Sequence, residues 1–372
     1  MAHITIDARK YFDFGIGTYI QQLIANIRKM RTSNSYRLLV SPDEAARIIP
    51  PPGWNMETVP YGKYSIGELL FLGRRLKWPR GGTVFHSPHY TLPVGLQDRS
   101  VVTIHDIIHL KLPQYFSLPQ RAYARAMISH AVKDARFVLT VSECTRQDVL
   151  RSFRVGEDKV LSVPLGVSDR FRVLSTKETD RFKASKGLTH PYLLFVGNAK
   201  PHKGIPTLIL AFQQLAPLFR DLDLVIAGGY ASENPYVRSI LQGSGLTGRV
   251  RELGHCTEDE LVGAYNGAEV LVMPSLYEGF GLPVLEAMAC GTCVVASDAG
   301  SLPEIAGDAA LIVRAGDADV LADALKSVLL DSGLRRTLIQ RGTTRTKHFS
   351  WKETAKKTLE VYEMVAARGG GS

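Results

Sequence analysis

Short apolar runs, each followed by a helical periodicity, recur along this chain in two successive series. That alternation restricts the fold more than any other feature of the sequence. The first series opens with His3–Asp7, which alternates like a strand. A loop carrying Gly15-Ile16-Gly17 follows, then Tyr19, Leu23, Ile24 and Ile27 at helical spacing. Tyr36–Val40, Thr83–His86, Val101–His105 and Phe137–Val141 read as further strands, with helices over about Pro119–Lys133 and from about Glu143. The pattern restarts after residue 190. Tyr192–Val196, Leu222–Ala227, Val270–Met273 and Val294–Ala296 read as strands, and Leu311–Val313 follows. Ile205–Leu215, Tyr236–Leu241, Glu258–Tyr265, Pro283–Ala289 and Val320–Leu329 read as helices. Strands alternating with helices indicate parallel sheets covered on both faces. The fold class expected is therefore α/β, with two Rossmann-like domains over residues 1–168 and 190–350. The charged segment from Gly166 to His190 reads as a linker. Trp351–Ala367 reads as an amphipathic helix, and Arg368 to Ser372 as a tail.

The length of 372 residues suits two domains, and 45% apolar with 22% charged residues is globular composition. Cys144, Cys256, Cys290 and Cys293 do not make a disulfide framework in so long a chain. The opening Met1-Ala2-His3-Ile4 lacks the order of a secretion signal, and no stretch approaches the roughly 18 apolar residues of a membrane span. A cytoplasmic protein with reduced thiols is expected. The net charge of +9 is uneven: residues 1–150 hold 19 Lys+Arg against 11 Asp+Glu, whereas residues 191–372 hold 17 against 20. A basic first half suits an anionic partner, or is simply a basic soluble domain. It carries no nucleic-acid recognition motif and no aromatic ladder, so no nucleic-acid partner is expected.

Three segments suit phosphate. Gly15 and Gly17 lie between a strand and a helix, where backbone amides can approach an anion, though a plain tight turn has the same look. A third glycine of the dinucleotide fingerprint is missing. The loop Gly197–Gly204 holds Asn198, Lys200, His202 and Lys203 at the carboxyl end of a strand, where open α/β sheets bind ligands. The most informative segment is Pro274–Glu286, Pro-Ser-Leu-Tyr-Glu-Gly-Phe-Gly-Leu-Pro-Val-Leu-Glu. Gly279 and Gly281 make a tight loop, and Pro283 fits a first helical turn, where its missing N–H costs nothing. The layout sets Glu278 on the loop beside a ligand and leaves helix amides for a diphosphate. Glu286 can accept from two vicinal hydroxyls, as on a ribose, or can simply be a carboxylate favoured near a helix start.

The chain resembles a retaining glycosyltransferase of family 4, with the GT-B fold of two Rossmann-like domains facing each other across a cleft. The resemblance covers nearly the whole length. Its carriers are Gly15-Ile16-Gly17, Phe85-His86-Ser87-Pro88-His89-Tyr90, His105-Asp106, Val141-Ser142-Glu143, the Gly197–Gly204 loop, Ala227-Gly228-Gly229 and Glu278–Gly291. It implies that Glu286 binds the nucleotide ribose and Glu278 the donor sugar. It implies that Phe280, Gly281 and Leu282 offer amides to the diphosphate or sugar, and that Lys203 is the phosphate-binding lysine. Gly15 and Gly17 would close over the diphosphate from the other domain. His105 would sit near the transferred sugar, with His86, His89 and Asp106 on the acceptor side. The catalytic set so implied is His105, Glu278 and Lys203. The sequence departs from the family at Asn198, where many members have arginine; Lys200 or His202 would then substitute, or the grip is weaker. The helix near Trp351 would cross back to the first domain.

The resemblance implies transfer of a hexose from a nucleotide sugar to a glycan or lipid-linked acceptor. The Phe85–Tyr90 and Val101–Asp106 blocks lean toward the mannosyltransferase-like branch, so GDP-mannose is the first donor expected. UDP-glucose, other UDP-sugars and a non-catalytic nucleotide-sugar binder stay open. No Asp-x-Asp pair suits a divalent ion, and no cofactor or metal is expected. His86, His89, His105 and His109 match no metal-ligand spacing. Cys290-Gly291-Thr292-Cys293 follows its helix instead of opening one, which suits buried thiols better than redox chemistry. Lys63–Arg80 interleaves Lys63, Arg74, Arg75, Lys77 and Arg80 with Leu69, Leu70, Phe71, Leu72 and Trp78. That suits an ordinary surface helix or peripheral contact with an anionic membrane.

Overall fold

The computed structural model describes residues 1–77 and 82–368. The chain divides into two compact units, Met1–Gly166 with the segment from Trp351, and Val167–Ser350.

The first unit holds seven strands: β1 His3–Asp7, β2 Ser35–Val40, β3 Asn55–Thr58, β4 Thr83–Ser87, β5 Ser100–Ile104, β6 Phe137–Thr140 and β7 Val160–Ser162. They form one sheet in the order β3-β2-β1-β4-β5-β6-β7. Every pairing in it is parallel. The second unit holds β8 Tyr192–Val196, β9 Asp223–Ala227, β10 Val250–Gly254, β11 Val270–Met273, β12 Cys293–Ser297 and β13 Leu311–Val313. Their order is β10-β9-β8-β11-β12-β13, again all parallel. Central strands such as Tyr192–Val196 are buried at every position, which is why they read as unbroken apolar runs. In each sheet the order reverses direction beside the first strand of the unit, and the carboxyl ends at such a switch point are where α/β sheets bind ligands.

Sequence periodicity misses β3, β7 and β10. These are edge strands whose residues are largely exposed, as in Asn55-Met56-Glu57-Thr58, or half-buried, so no apolar run marks them. The segment expected as a linker contains the helix Thr176–Ser185. A Ser175–Glu178 capping box starts it, and Phe182 packs against Gly263 of the helix Glu258–Gly267. One apolar face in an otherwise charged stretch hid it from periodicity.

The final helix, Trp351–Arg368, packs on the first unit. Trp351 lies 6.4 Å from the Tyr19 ring, and Thr354 Oγ1 donates to the Pro164 carbonyl at 2.7 Å. The basic segment after Lys63 forms the helix Ile66–Arg75, capped by Ser65. Trp78, Pro79 and Arg80 lie outside the described residues, as do residues 369–372 of the tail. No described helix is long and apolar enough to cross a membrane.

Candidate active site

In the second unit the site is built where the ends of β8 and β11 meet. Lys203 sits on the Gly197–Gly204 loop and Glu278 on the Pro274–Gly281 loop. The two loops are fastened together: Leu276 N donates to the His202 carbonyl at 2.7 Å. Gly204 adopts a left-handed φ of 70°, and any side chain there would run into the Pro274 carbonyl. Lys203 Nζ reaches Oε1 of Glu278 at 2.7 Å, and Ser275 Oγ donates to the same oxygen at 2.7 Å. The Glu278 carbonyl accepts from Ser301 N at 3.0 Å and Ser301 Oγ at 3.2 Å. Burial acts to raise the Glu278 carboxyl, but the Lys203 charge and the two side-chain hydrogen bonds overcome it and hold the group below the ordinary glutamate range. Ser275 supports this carboxylate and Ser301 the backbone carbonyl of the same residue; both serines are fully buried, and sequence reasoning missed them. The serine after Pro274 was in view, but nothing in the sequence aims its hydroxyl at Glu278.

Gly281, at a left-handed φ of 96°, turns the chain into the helix Leu282–Ala289. Pro283 stands in its first turn, as expected. The Phe280 ring is buried and meets Phe349 edge-on at 5.9 Å, so it is core, and only its backbone is left for a ligand. Glu286, half-buried on the same helix, accepts the Tyr265 hydroxyl at 2.7 Å. Burial pushes its carboxyl up to about 7, against the opposing Tyr265 hydrogen bond. Lys200 is exposed, and its backbone N–H donates to Asn198 Oδ1 at 3.3 Å. His202 is half-buried, and its charge acts on Glu278. Lys203, Glu278, Ser275 and His202 are thus brought together, with Glu286 one turn along the following helix.

In the first unit His105 and Asp106 follow β5, beside the end of β4. His105 Nε2 lies 2.9 Å from the Pro88 carbonyl. A carbonyl only accepts, so Nε2 carries the proton, and Nδ1 of the neutral ring is bare. Burial lowers this imidazole's pKa, against the opposing Pro88 hydrogen bond and Asp106 charge. Asp106 Oδ1 accepts from Ile108 N at 3.0 Å, closing a local turn.

His86 corrects an expectation. It is fully buried, with Nδ1 2.6 Å from the Tyr362 hydroxyl and Nε2 2.8 Å from Thr103 Oγ1. Both nitrogens are taken and burial lowers its pKa to about 3, so it is a core histidine that anchors the final helix, not an acceptor-facing one. The glycine pair is also corrected in part. The helix begins at Phe14, so Gly15-Ile16-Gly17 forms its first turn and not a preceding loop. A Cβ at Gly17 would stand 2.5 Å from the Tyr11 carbonyl oxygen, whereas one at Gly15 meets nothing within 4 Å. Only Gly17 is demanded by packing. Among the described residues no group of three His, Cys, Asp or Glu side chains is arranged to hold a metal ion.

The arrangement is that of the GT-B class of glycosyltransferases. Sucrose-phosphate synthase from Thermosynechococcus elongatus superposes with a TM-score of 0.81 at 22% identity, over 99% of this chain and 100% of that one. The Anabaena protein HepE, solved in complex with UDP and glucose, gives 0.75 at 16% identity, over 97% and 99%. The description "Glycosyltransferase Family 4" matches residues 15–171 and "Glycosyl transferases group 1" matches residues 176–345. The O-antigen chain mannosyltransferase B of Escherichia coli is 32% identical over 284 residues, covering 76% of this chain and 74% of that protein. The chain belongs to glycosyltransferase family 4, a retaining family, and is a glycosyltransferase.

Proposed function

We propose that this enzyme moves a hexose, mannose from GDP-mannose in the first instance, to a glycan or lipid-linked acceptor. The observation that carries the reading is the Lys203–Glu278 pair, 2.7 Å apart at the mouth of the helix Leu282–Ala289. As the glycosidic C–O bond breaks, the nucleoside diphosphate gains negative charge. Lys203 and the helix amides at Gly281 and Leu282 stabilise that charge without a metal, each charge-assisted contact contributing about 1.5–3 kcal/mol. Glu278 holds the ammonium in place and faces the sugar. Glu286 takes the ribose hydroxyls, and Asn198, Lys200 and His202 flank the phosphates. Retention follows from attack on the same face, with a leaving phosphate oxygen taking the acceptor's proton.

In the first unit, whose role is acceptor binding, His105, next to Asp106, serves the transferred sugar, and Gly15 and Gly17 serve the diphosphate. Mannose is supported by the mannosyltransferase among the relatives, and the UDP complex of HepE makes UDP-glucose the alternative donor. A cytoplasmic enzyme peripheral to the membrane suits a lipid-linked acceptor. It is supported by Ile66, Leu70 and Phe71, exposed on one helix with Arg74 and Arg75 at its end. The test is donor hydrolysis or transfer with GDP-mannose and UDP-glucose side by side. Faster turnover of GDP-mannose, with an α-configured product by NMR, is expected. Turnover of neither donor, or only of UDP-glucose, overturns the reading in whole or in its sugar.

A further inference from the structure

We propose that Lys10 and His89 form a subsite in the first unit that takes one hydroxyl group of a neutral carbohydrate acceptor. The proposal rests on the glycosyltransfer reading only in taking the ligand to be a sugar.

Lys10 Nζ and His89 Nδ1 are both buried, on residues 8% and 7% exposed, and neither has a hydrogen-bond partner among the described residues. Buried polar groups in folded proteins are nearly always bonded, so two such atoms around one shared side chain call for a ligand. Both bear on one side chain. Lys10 Nζ stands 3.6 Å from the centroid of the Tyr64 ring, and the His89 ring meets it edge-on at 5.2 Å. His89 Nε2 lies 3.3 Å from the Tyr64 hydroxyl.

Tyr64 is itself unusual. It is 43% exposed and holds a left-handed φ of 63°, which tyrosine avoids. Its N–H donates to Glu68 Oε2 at 2.7 Å, and its carbonyl accepts the Tyr123 hydroxyl at 3.4 Å. Such strain recurs at ligand clamps.

Charge decides the kind of ligand. Arg9 is held by Asp7 and Glu68, and Lys63 by Asp13 and Glu44. The nearest carboxylate oxygen to Lys10, Asp13 Oδ2, is 4.0 Å away, beyond hydrogen bonding. Counting Lys10, three cations face four carboxylates, so there is no surplus positive charge for a phosphate. A hydroxyl fits. Its oxygen accepts from the Lys10 ammonium and its proton goes to His89 Nδ1, which is bare when Nε2 carries the hydrogen toward Tyr64. Tyr64 and Tyr123 are both partly exposed, and aromatic side chains suit the C–H face of a pyranose.

The experiment is ¹⁵N NMR of the full chain with labelled histidine, the His89 signals assigned by their loss in His89→Gln. The probes are methyl α-D-mannopyranoside and inorganic phosphate. The glycoside is expected to shift His89 Nδ1 saturably, with at least tenfold weaker binding in Lys10→Met, and phosphate to leave it unmoved. A shift with phosphate alone would make this an anion site and overturn the proposal, as would no shift with either probe. Equal glycoside binding in a folded Lys10→Met would overturn it too; if that variant does not fold, the two probes on the unaltered protein still decide. No donor is present, so failure here is distinct from failure of sugar transfer, which donor turnover measures separately.

Discussion

Lys203 Nζ and Glu278 Oε1 lie 2.7 Å apart although 75 residues separate them in the chain. Their side chains are only 19% and 12% exposed. Each therefore keeps the other's charge solvated in a place where water does so poorly. The carboxylate stays ionised, and on the function proposed above the ammonium is held ready for an incoming diphosphate.

Removing one partner strands the other. Lys203→Met is expected to lower kcat by about 10²-fold or more. It is also expected to destabilise the second unit by about 3 kcal/mol, because Glu278 remains buried and unpaired. The double variant with Glu278→Gln should recover much of the stability and none of the activity. Thermal unfolding and donor turnover of the single and double variants check this.

Ser275 acts through Glu278. Ser275→Ala deletes a buried hydrogen bond to a charged group, at a cost of about 1.5–3 kcal/mol. The Glu278 carboxyl should titrate higher, and kcat should fall by more than the donor KM rises. A pH–rate profile whose acid limb does not move toward neutral pH would remove this role.

The two glycines of the first helical turn should behave differently. Gly17→Ala forces a Cβ to 2.5 Å from the Tyr11 carbonyl and is expected to lower the melting temperature by several degrees. Gly15→Ala meets nothing within 4 Å and should leave it unchanged. If Gly15→Ala nonetheless weakens stabilisation by GDP-mannose, the glycine serves the ligand and not the fold.

Burial raises Glu286 to about 7 from an ordinary 4.5, and the sign of its pH dependence follows. As pH rises from about 4.5 to about 7, the unfolded chain gives up this proton while the folded one keeps it, so stability contributed by the group declines over that window. Accepting from two ribose hydroxyls needs the ionised form, so binding of GDP-mannose should tighten as pH rises through about 7. Calorimetric titration at pH 6 and pH 8 should find the difference, and Glu286→Gln should abolish it.

The helix Ile66–Arg75 exposes Ile66, Leu70 and Phe71, with Arg74 and Arg75 in its last turn. Co-sedimentation with vesicles containing acidic lipid is expected to fall with salt and with Phe71→Ser/Arg74→Glu/Arg75→Glu. Sedimentation equal to that on neutral vesicles would dispose of the membrane contact.

The two parallel sheets are legible in the order of residues alone, because strands buried on both faces must be written as apolar runs, as Tyr192–Val196 and Val270–Met273 are. The sequence also placed the loops of Lys203 and Glu278 at strand ends, since glycine and proline mark turns whatever surrounds them. It could not reveal edge strands such as Asn55–Thr58, which bury too little to need an apolar pattern, or the Phe182 face of the helix in the supposed linker. Side-chain partners were decided only by tertiary structure. His86 and His105 both come from motifs that carry the family resemblance, yet one is sealed between Thr103 and Tyr362 while the other keeps a bare nitrogen. The pairing of Lys203 with Glu278 and the meeting of Lys10 and His89 on Tyr64 join segments distant in the chain, whereas the Ser275–Glu278 bond spans three residues and depends on how their loop turns. A linear pattern encodes which residues are buried, but the direction each polar atom points is settled by packing in three dimensions.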